Sequence, residues 1–230
     1  MSAQERIVPL AIVILVLVAI GAIAMMGGWD GILQKPATPE VPVSVEADIV
    51  DPLNEGRLVS VQGRLGFKLP AFDQEMGVSD ADAVVLFRHV EMYQWQETCI
   101  ADACTQSSSW SPELIDATQF KEQLGNLNPD EFPFASQAFF AEGVFIGAFA
   151  PDLDLVAREV PMLPKRVTLG DLPANLAASF SERDGWIIAG NDLLNPAVGD
   201  LRINYRMVSA GVVTLIGRQV GNRLVAEPAN

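Results

Sequence analysis

Leu201-Arg202-Ile203-Asn204-Tyr205-Arg206-Met207 places an apolar side chain at every second position with a polar one between. A period of two is that of a half-buried β-strand, with one face packed and the other wet. Val212 to Val220 continues as a strand, and Gly221-Asn222 supplies a tight turn into Arg223-Leu224-Val225. Upstream, Val84 to Thr98 is rich in β-branched and aromatic residues and long for a strand, with a serine-rich return from Thr105 to Trp110 as its partner. That pairing brings Tyr93, Trp95 and Trp110 together as a cross-strand aromatic cluster. Sheet packing is the plainer role for such a cluster, and a ligand-binding patch is the alternative.

Shorter strands are expected where Val41, Val43 and Val45 alternate with Pro42, Ser44 and Glu46, a period with an edge-type proline, then at Leu58–Gln62, Val144–Phe149 and Trp186–Ala189. Ser111-Pro112-Glu113 can open a helix that Gly125 closes, although Ile115, Thr118 and Phe120 weaken it. Ala135–Ala141 and Leu172–Phe180 read as two further helices, Asn128-Pro129 as a turn, and Phe67–Asp82 as a loop without period. Strands outnumber helices, so the expected fold class is mainly β, of the α+β kind with a few short helices.

The N-terminal part reads differently. From Ile7 to Gly28 there is no charged residue and no polar face, and a helix of that length would extend about 33 Å, enough to cross a bilayer. Pro9 falls in the first turn and Trp29 at the outer edge. The competing reading is a cleaved signal peptide, because Ala22-Ile23-Ala24 resembles a small-x-small cleavage site. An uncleaved anchor is the better fit, since the apolar run is long and Arg6 stands beside Glu5 in a weakly charged leader. Either way the remainder is expected across the membrane, with a cytoplasmic N-terminus and a periplasmic or lumenal domain. The expected organisation is an anchor over 1–30, a proline-rich spacer over 31–42, a β-rich extracytoplasmic domain over 43–226 and a tail over 227–230.

The chain of 230 residues carries 29 acidic against 15 basic side chains, a formal charge of −14. Such a surface repels phosphate backbones and anionic lipid heads, which argues against nucleic acid as a partner. The acids are scattered and show no calcium-loop spacing. Cys99 and Cys104 are the two cysteines, separated by Ile100-Ala101-Asp102-Ala103. In an oxidising compartment this spacing closes a disulfide at a hairpin tip. Two free thiols are the alternative, and a metal site lacks further ligands nearby, because the one histidine, His89, stands ten residues away.

No catalytic, cofactor-binding or metal-binding residue is assigned. His89 sits between Arg88 and Glu91 in an expected strand, with no Gly-x-Ser-x-Gly elbow, phosphate loop or dinucleotide fingerprint elsewhere. A carboxylate-dependent hydrolase would leave no short linear trace, so it stays as an alternative.

Several phrases together resemble a known family. They are Gly56-Arg57-Leu58-Val59 with Gly63, the run from Arg88-His89-Val90-Glu91-Met92-Tyr93-Gln94-Trp95 to Glu97-Thr98, Trp110, Asn128-Pro129, Val198-Gly199-Asp200-Leu201-Arg202, and Val213 through Gln219. The set is similar to the transmembrane protein 43 family, also called LUMA, over most of residues 7 to 225. The resemblance implies a first membrane helix, a large domain on the lumenal or outer side, and no enzymatic activity or cofactor. Eukaryotic members are similar to scaffolds of the endoplasmic reticulum and inner nuclear membrane, associated with lamina and nuclear-envelope proteins. A tether joined to a domain without catalytic signature separately suggests other membrane or envelope proteins, or the chain itself, as partners. Family members continue into further membrane helices, whereas this sequence ends at Asn230, and the Cys99–Cys104 segment has no counterpart in the family pattern. The function expected is therefore a membrane-anchored, non-enzymatic scaffold or interaction module, with small-ligand or lipid binding as the alternative.

Overall fold

The computed structural model describes residues 40–190, 192 and 194–226. Apart from Glu40 and Val41, these belong to one compact unit that begins at Pro42. The apolar stretch Ile7–Gly28 lies outside the described residues. Among those described, no helix is long and apolar enough to cross a membrane.

Two sheets carry the fold. The first contains β1 (Val43–Glu46), β2 (Leu58–Gly66), β8 (Phe145–Ile146), β9 (Ala150–Pro151), β14 (Val212–Val220) and β15 (Arg223–Val225), in the order β1-β2-β14-β15-β9, with β8 on the end of β2. The second contains β5 (Ala83–Ile100), β6 (Ala103–Ser111), β7 (Gln137–Phe140), β10 (Leu163–Lys165), β11 (Ser181–Arg183), β12 (Trp186–Ala189) and β13 (Leu201–Ser209). Its order is β11-β12-β13-β5-β6; β10 adds to β13, and β7 to β5. A small pair, β3 (Phe72–Asp73) and β4 (Val78–Ser79), stands apart. Among the described residues the two α-helices are short: α1 (Leu153–Glu159) and α2 (Ala174–Ala177).

β5 and β13 form the spine of the larger sheet, paired antiparallel from Leu201↔Met92 to Ser209↔Ala83. Their inward residues, among them Leu86, Val90, Met92, Ile203 and Tyr205, bury against Ala71, Met76, Val167, Leu172 and Phe180. A second apolar cluster joins Val59, Val61 and Leu65 of β2, Leu215 of β14 and Leu155 and Val156 of α1 with Val84, Val85 and Val208. The chain passes from one sheet to the other at Ala210-Gly211, where the Gly211 carbonyl accepts from Leu65 N and the Ala210 N–H donates to Asp82 O. At the β8–β9 turn, Gly147 has φ +58°, and a Cβ there would meet the Ala47 carbonyl oxygen at 2.2 Å, so only glycine fits.

Several local expectations give way to tertiary pairing. Ala135–Ala141 is not a helix: Gln137–Phe140 pairs with Val85–Arg88 of β5, and that ladder outweighs the helical bias of its alanines. The segment opened by Ser111 holds only a single 3-10 turn at Ala117–Gln119. The buried Gln94 side chain competes for this segment's backbone, donating to Glu113 O and accepting from Ile115 N. Phe67–Asp82 is not a featureless loop, since it holds β3 and β4. Leu172–Phe180 shrinks to the one turn of α2, and Val144–Phe149 to the two residues of β8.

Candidate interaction surface

Period-two alternation sends the side chains of β5 to opposite faces. Inward goes Arg88, with 1% of its side chain exposed, beside the fully buried Asp73. Its Nη1 donates to both carboxylate oxygens of Asp73 at 3.2 and 2.9 Å, its Nη2 to Glu75 Oε2 at 2.6 Å, and its Nε to Ala135 O at 2.9 Å. The Tyr205 hydroxyl donates to Asp73 Oδ2 at 2.8 Å, and the N–H groups of Glu75 and Met76 donate to Oδ1. Phe134 and Phe139 lie against the guanidinium. Burial, and then the adjoining Asp73 carboxylate, push the Tyr205 phenol well above the ordinary tyrosine range. With Arg88, Asp73 and Tyr205 buried and every charge partnered, this cluster ties β3, β5, β7 and β13 together.

The outward residues of β5 build the more exposed arrangement. His89 Nε2 meets Glu91 Oε1 at 3.0 Å, and Arg202 Nε donates to Glu91 Oε2 at 2.6 Å. A second Arg202 nitrogen also pairs with Glu91. The Arg202 guanidinium is held between two indoles, 4.4 Å from the Trp186 ring centre and 4.7 Å from that of Trp110. Trp110 in turn meets Tyr93 edge-on at 5.3 Å, while His89 lies 6.0 Å from Trp186. A Trp–Arg–Trp stack thus crosses β12, β13, β5 and β6 on the outer face, with Arg202 27% and Glu91 14% exposed. Two open clefts adjoin it. One, of about 360 Å³, is lined by Trp110, Trp186, Ile188, Leu194 and Arg202. The other, of about 870 Å³, lies where β12 ends and β10 begins along β13, among Lys165, Arg166, Arg183, Asp184, Asn204 and Arg206.

The expected pairing of Tyr93 with Trp110 is present in the register of β5 and β6. Trp95 does not join it: it lies opposite Ser108, and its backbone is bracketed by the side chain of Asn128, which accepts from Trp95 N and donates to Trp95 O. The Asn128-Pro129 turn therefore serves as a plug on the free side of β5. Cys99 and Cys104 face one another one rung from the hairpin tip and are joined as a disulfide. Glu97, within 4.8 Å of both sulfurs, completes the single group of three metal-type ligands found among the described residues, but bonded sulfurs offer no thiolate. Desolvation at Glu97 is outweighed by hydrogen bonds from Gln106 and from the N–H groups of Lys121 and Glu122, which hold its carboxyl below the usual range. Alternation marked Arg202 as a wet-face residue and a strand was expected from Trp186, but nothing in the sequence marked their stacking, or Asp73, because each acts through a partner distant along the chain.

Among the described residues Glu91 is the one hydrogen-bond partner of the His89 ring. Fold and surface together define a two-sheet β-domain that presents an aromatic and ionic face. The sequence profile of the transmembrane protein 43 family matches residues 92–227, and the chain belongs to that family. Transmembrane protein 43 of Homo sapiens is 31% identical over 198 residues, covering 76% of this chain and 48% of that protein. The transmembrane protein 43 homolog of Drosophila melanogaster is 28% identical over 187 residues, covering 74% and 48%. The chain spans about half the length of the curated relatives it matches. No solved structure matches. In three dimensions the motif phrases become neighbouring strands: Leu58-Val59 pairs with Arg218-Gly217, and Arg202 with Glu91.

Proposed function

We propose that this domain is a membrane-tethered, non-enzymatic interaction module, presented outside the cytoplasm by the Ile7–Gly28 anchor, and that it meets its protein partner through the outer face of the larger sheet. The observation that carries this reading is the partly exposed Trp186–Arg202–Trp110 stack. Tryptophan, tyrosine and arginine are the residues that dominate binding energy at protein interfaces, and here they are held rigid on a sheet, so little side-chain entropy remains to be lost on binding. Crosslinking in native membranes followed by mass spectrometry tests the reading. A defined protein adduct that disappears with Trp186→Ala is the supporting result, and an adduct pattern unchanged by that variant counts against it.

A second reading, capture of a small anionic ligand, draws on the cleft among Lys165, Arg166, Arg183 and Arg206. The buried Asn204 Oδ1 beside it has no hydrogen-bond partner among the described residues. Ion pairs of Lys165 with Asp80 and of Arg166 with Glu182 already neutralise part of that charge, which makes this the weaker reading.

A further inference from the structure

The larger sheet ends at β6, and this edge differs from the others. β1 is four residues long and follows Pro42, β9 consists of two residues including Pro151, β10 contains Pro164 and Lys165, and β11 carries Glu182 and Arg183. Short length, proline and charge are the devices by which proteins protect sheet edges from unwanted pairing. β6 has none of them. Ala103-Cys104-Thr105-Gln106-Ser107-Ser108-Ser109-Trp110-Ser111 contains no charge and no proline, and its register with β5 runs without a bulge from Ile100↔Ala103 to Met92↔Ser111.

The direction of its backbone groups follows from the opposite strand. Tyr93 N donates to Asp200 O and Trp95 N to Asn128 Oδ1, so both residues turn their backbone away from β6. Their partners Trp110 and Ser108 must then turn away from β5, and alternation extends this to Gln106 and Cys104. Among the described residues, no other backbone group is bonded to that edge.

We infer that the β6 edge pairs antiparallel with β6 of a second copy of this chain, across a two-fold axis at Ser107. That register makes Gln106 and Ser108 of opposite copies exchange backbone hydrogen bonds, as do Cys104 and Trp110. Within β6 it sets only uncharged side chains against one another, although each chain is at −14 overall. It also runs the hairpin tip of each copy, with its exposed Ile100, past the end of β6 of the other, where Leu114 is exposed. The pairing rests on the reading of the domain as an interaction module, and places a second copy at the sheet edge, apart from the outer face.

Ser107→Cys in the full chain in native membranes is the test. A non-hydrogen-bonded antiparallel pair has Cα atoms about 4.5 Å apart, close enough for a disulfide. Mild oxidation is expected to give a dimer of Ser107→Cys that reductant reverses, with the Cys99–Cys104 bridge intact by mass spectrometry and no dimer from Thr214→Cys on β14. Adding Ser108→Pro removes an N–H that makes no bond within its own sheet. It is expected to weaken the dimer roughly tenfold or more, through the loss of one edge hydrogen bond per copy, while the melting temperature holds. Ser108→Lys, which keeps the backbone N–H, is expected to act in the same direction by charging the edge. A Ser107→Cys chain that stays monomeric, that joins a different protein, or that dimerises no better than Thr214→Cys overturns the inference. In each of these cases a Trp186-dependent adduct from the outer face would leave the interaction reading standing.

Discussion

Arg88 and Arg202 lie on neighbouring strands and point to opposite faces, which allows structural and interaction roles to be separated by one pair of substitutions. Arg88→Met removes a buried guanidinium and leaves Asp73, at 0% exposure, with only the Tyr205 hydroxyl and two N–H groups. Breaking a buried ion pair from one side costs about 3–5 kcal/mol, because the remaining charge is stranded. For a unit of this size that lowers the melting temperature by roughly 6–20 °C. Arg202→Ala removes two ring contacts, at 4.4 and 4.7 Å, and a partly exposed pair with Glu91. Contacts of those kinds sum to about 1–3 kcal/mol. Its effect on partner binding should be about 2 kcal/mol or more, which is roughly thirtyfold in affinity. The assay is thermal unfolding of the full chain in detergent, followed by tryptophan fluorescence, beside crosslink yield per folded molecule in native membranes. Arg88→Met should lose stability and keep its yield when cooled, whereas Arg202→Ala should keep most of its stability and lose its yield. If Arg202→Ala melts as early as Arg88→Met and its surviving folded molecules crosslink normally, the stack is a structural brace and the reasoning fails.

Four further outcomes are expected. Tyr205→Phe should cost about 1.5–3 kcal/mol, the range for a hydrogen bond to a charged group, measured by denaturant unfolding. The raised Tyr205 pKa also has a pH signature: its stabilisation is present in full below the unfolded value, near 10.0, and declines as the pH rises beyond it, so Tyr205→Phe should unfold with a flatter alkaline dependence. Asp80 is held below its ordinary value of 3.8 by the hydrogen bond from Lys165 and that from Asp82 N, so its contribution is complete above that pH and is lost as the pH falls through the lower folded value; Lys165→Met should flatten the acid limb of the stability curve. Gly147→Ala should destabilise by about 1–3 kcal/mol from backbone strain alone, with the Ala47 contact adding to it, whereas alanine at the open Gly211 should be mild. For the compartment, protease added to intact spheroplasts should digest the β-domain, and thiol labelling without reductant should leave Cys99 and Cys104 unmodified; protection of the domain until lysis, or full labelling, would count against an extracytoplasmic, oxidised state.

The strands that proved easiest to read were those with a strict period and a nearby partner. Leu201–Met207, Val212–Val220 and the long run from Val84 carry their alternation openly, and the turn at Gly221-Asn222 leads from the second of them into Arg223–Val225. Tyr93 and Trp110 could be paired because a short hairpin fixes their register. Gln137–Phe140 could not be recognised as a strand, since four residues give no period and their partner lies on β5, some fifty positions upstream. Asp73 was hidden for the same reason: nothing in Phe72-Asp73-Gln74-Glu75 announces that Arg88 and Tyr205 will converge on it. Of the candidate surface, the alternation of Arg202, Asn204 and Arg206 marked a wet face, but the capture of Arg202 between two tryptophans from separate strands belongs to the sheet and not to any local pattern.

The most direct measurement places a photo-crosslinking residue at Ile188, beside Trp186 on the outer face, and at Thr214 on β14, in the full chain in its native membrane. The account predicts a discrete protein adduct from Ile188 that Arg202→Ala abolishes, and none from Thr214. Equal adducts from both positions, or an Ile188 adduct indifferent to Arg202, would contradict it.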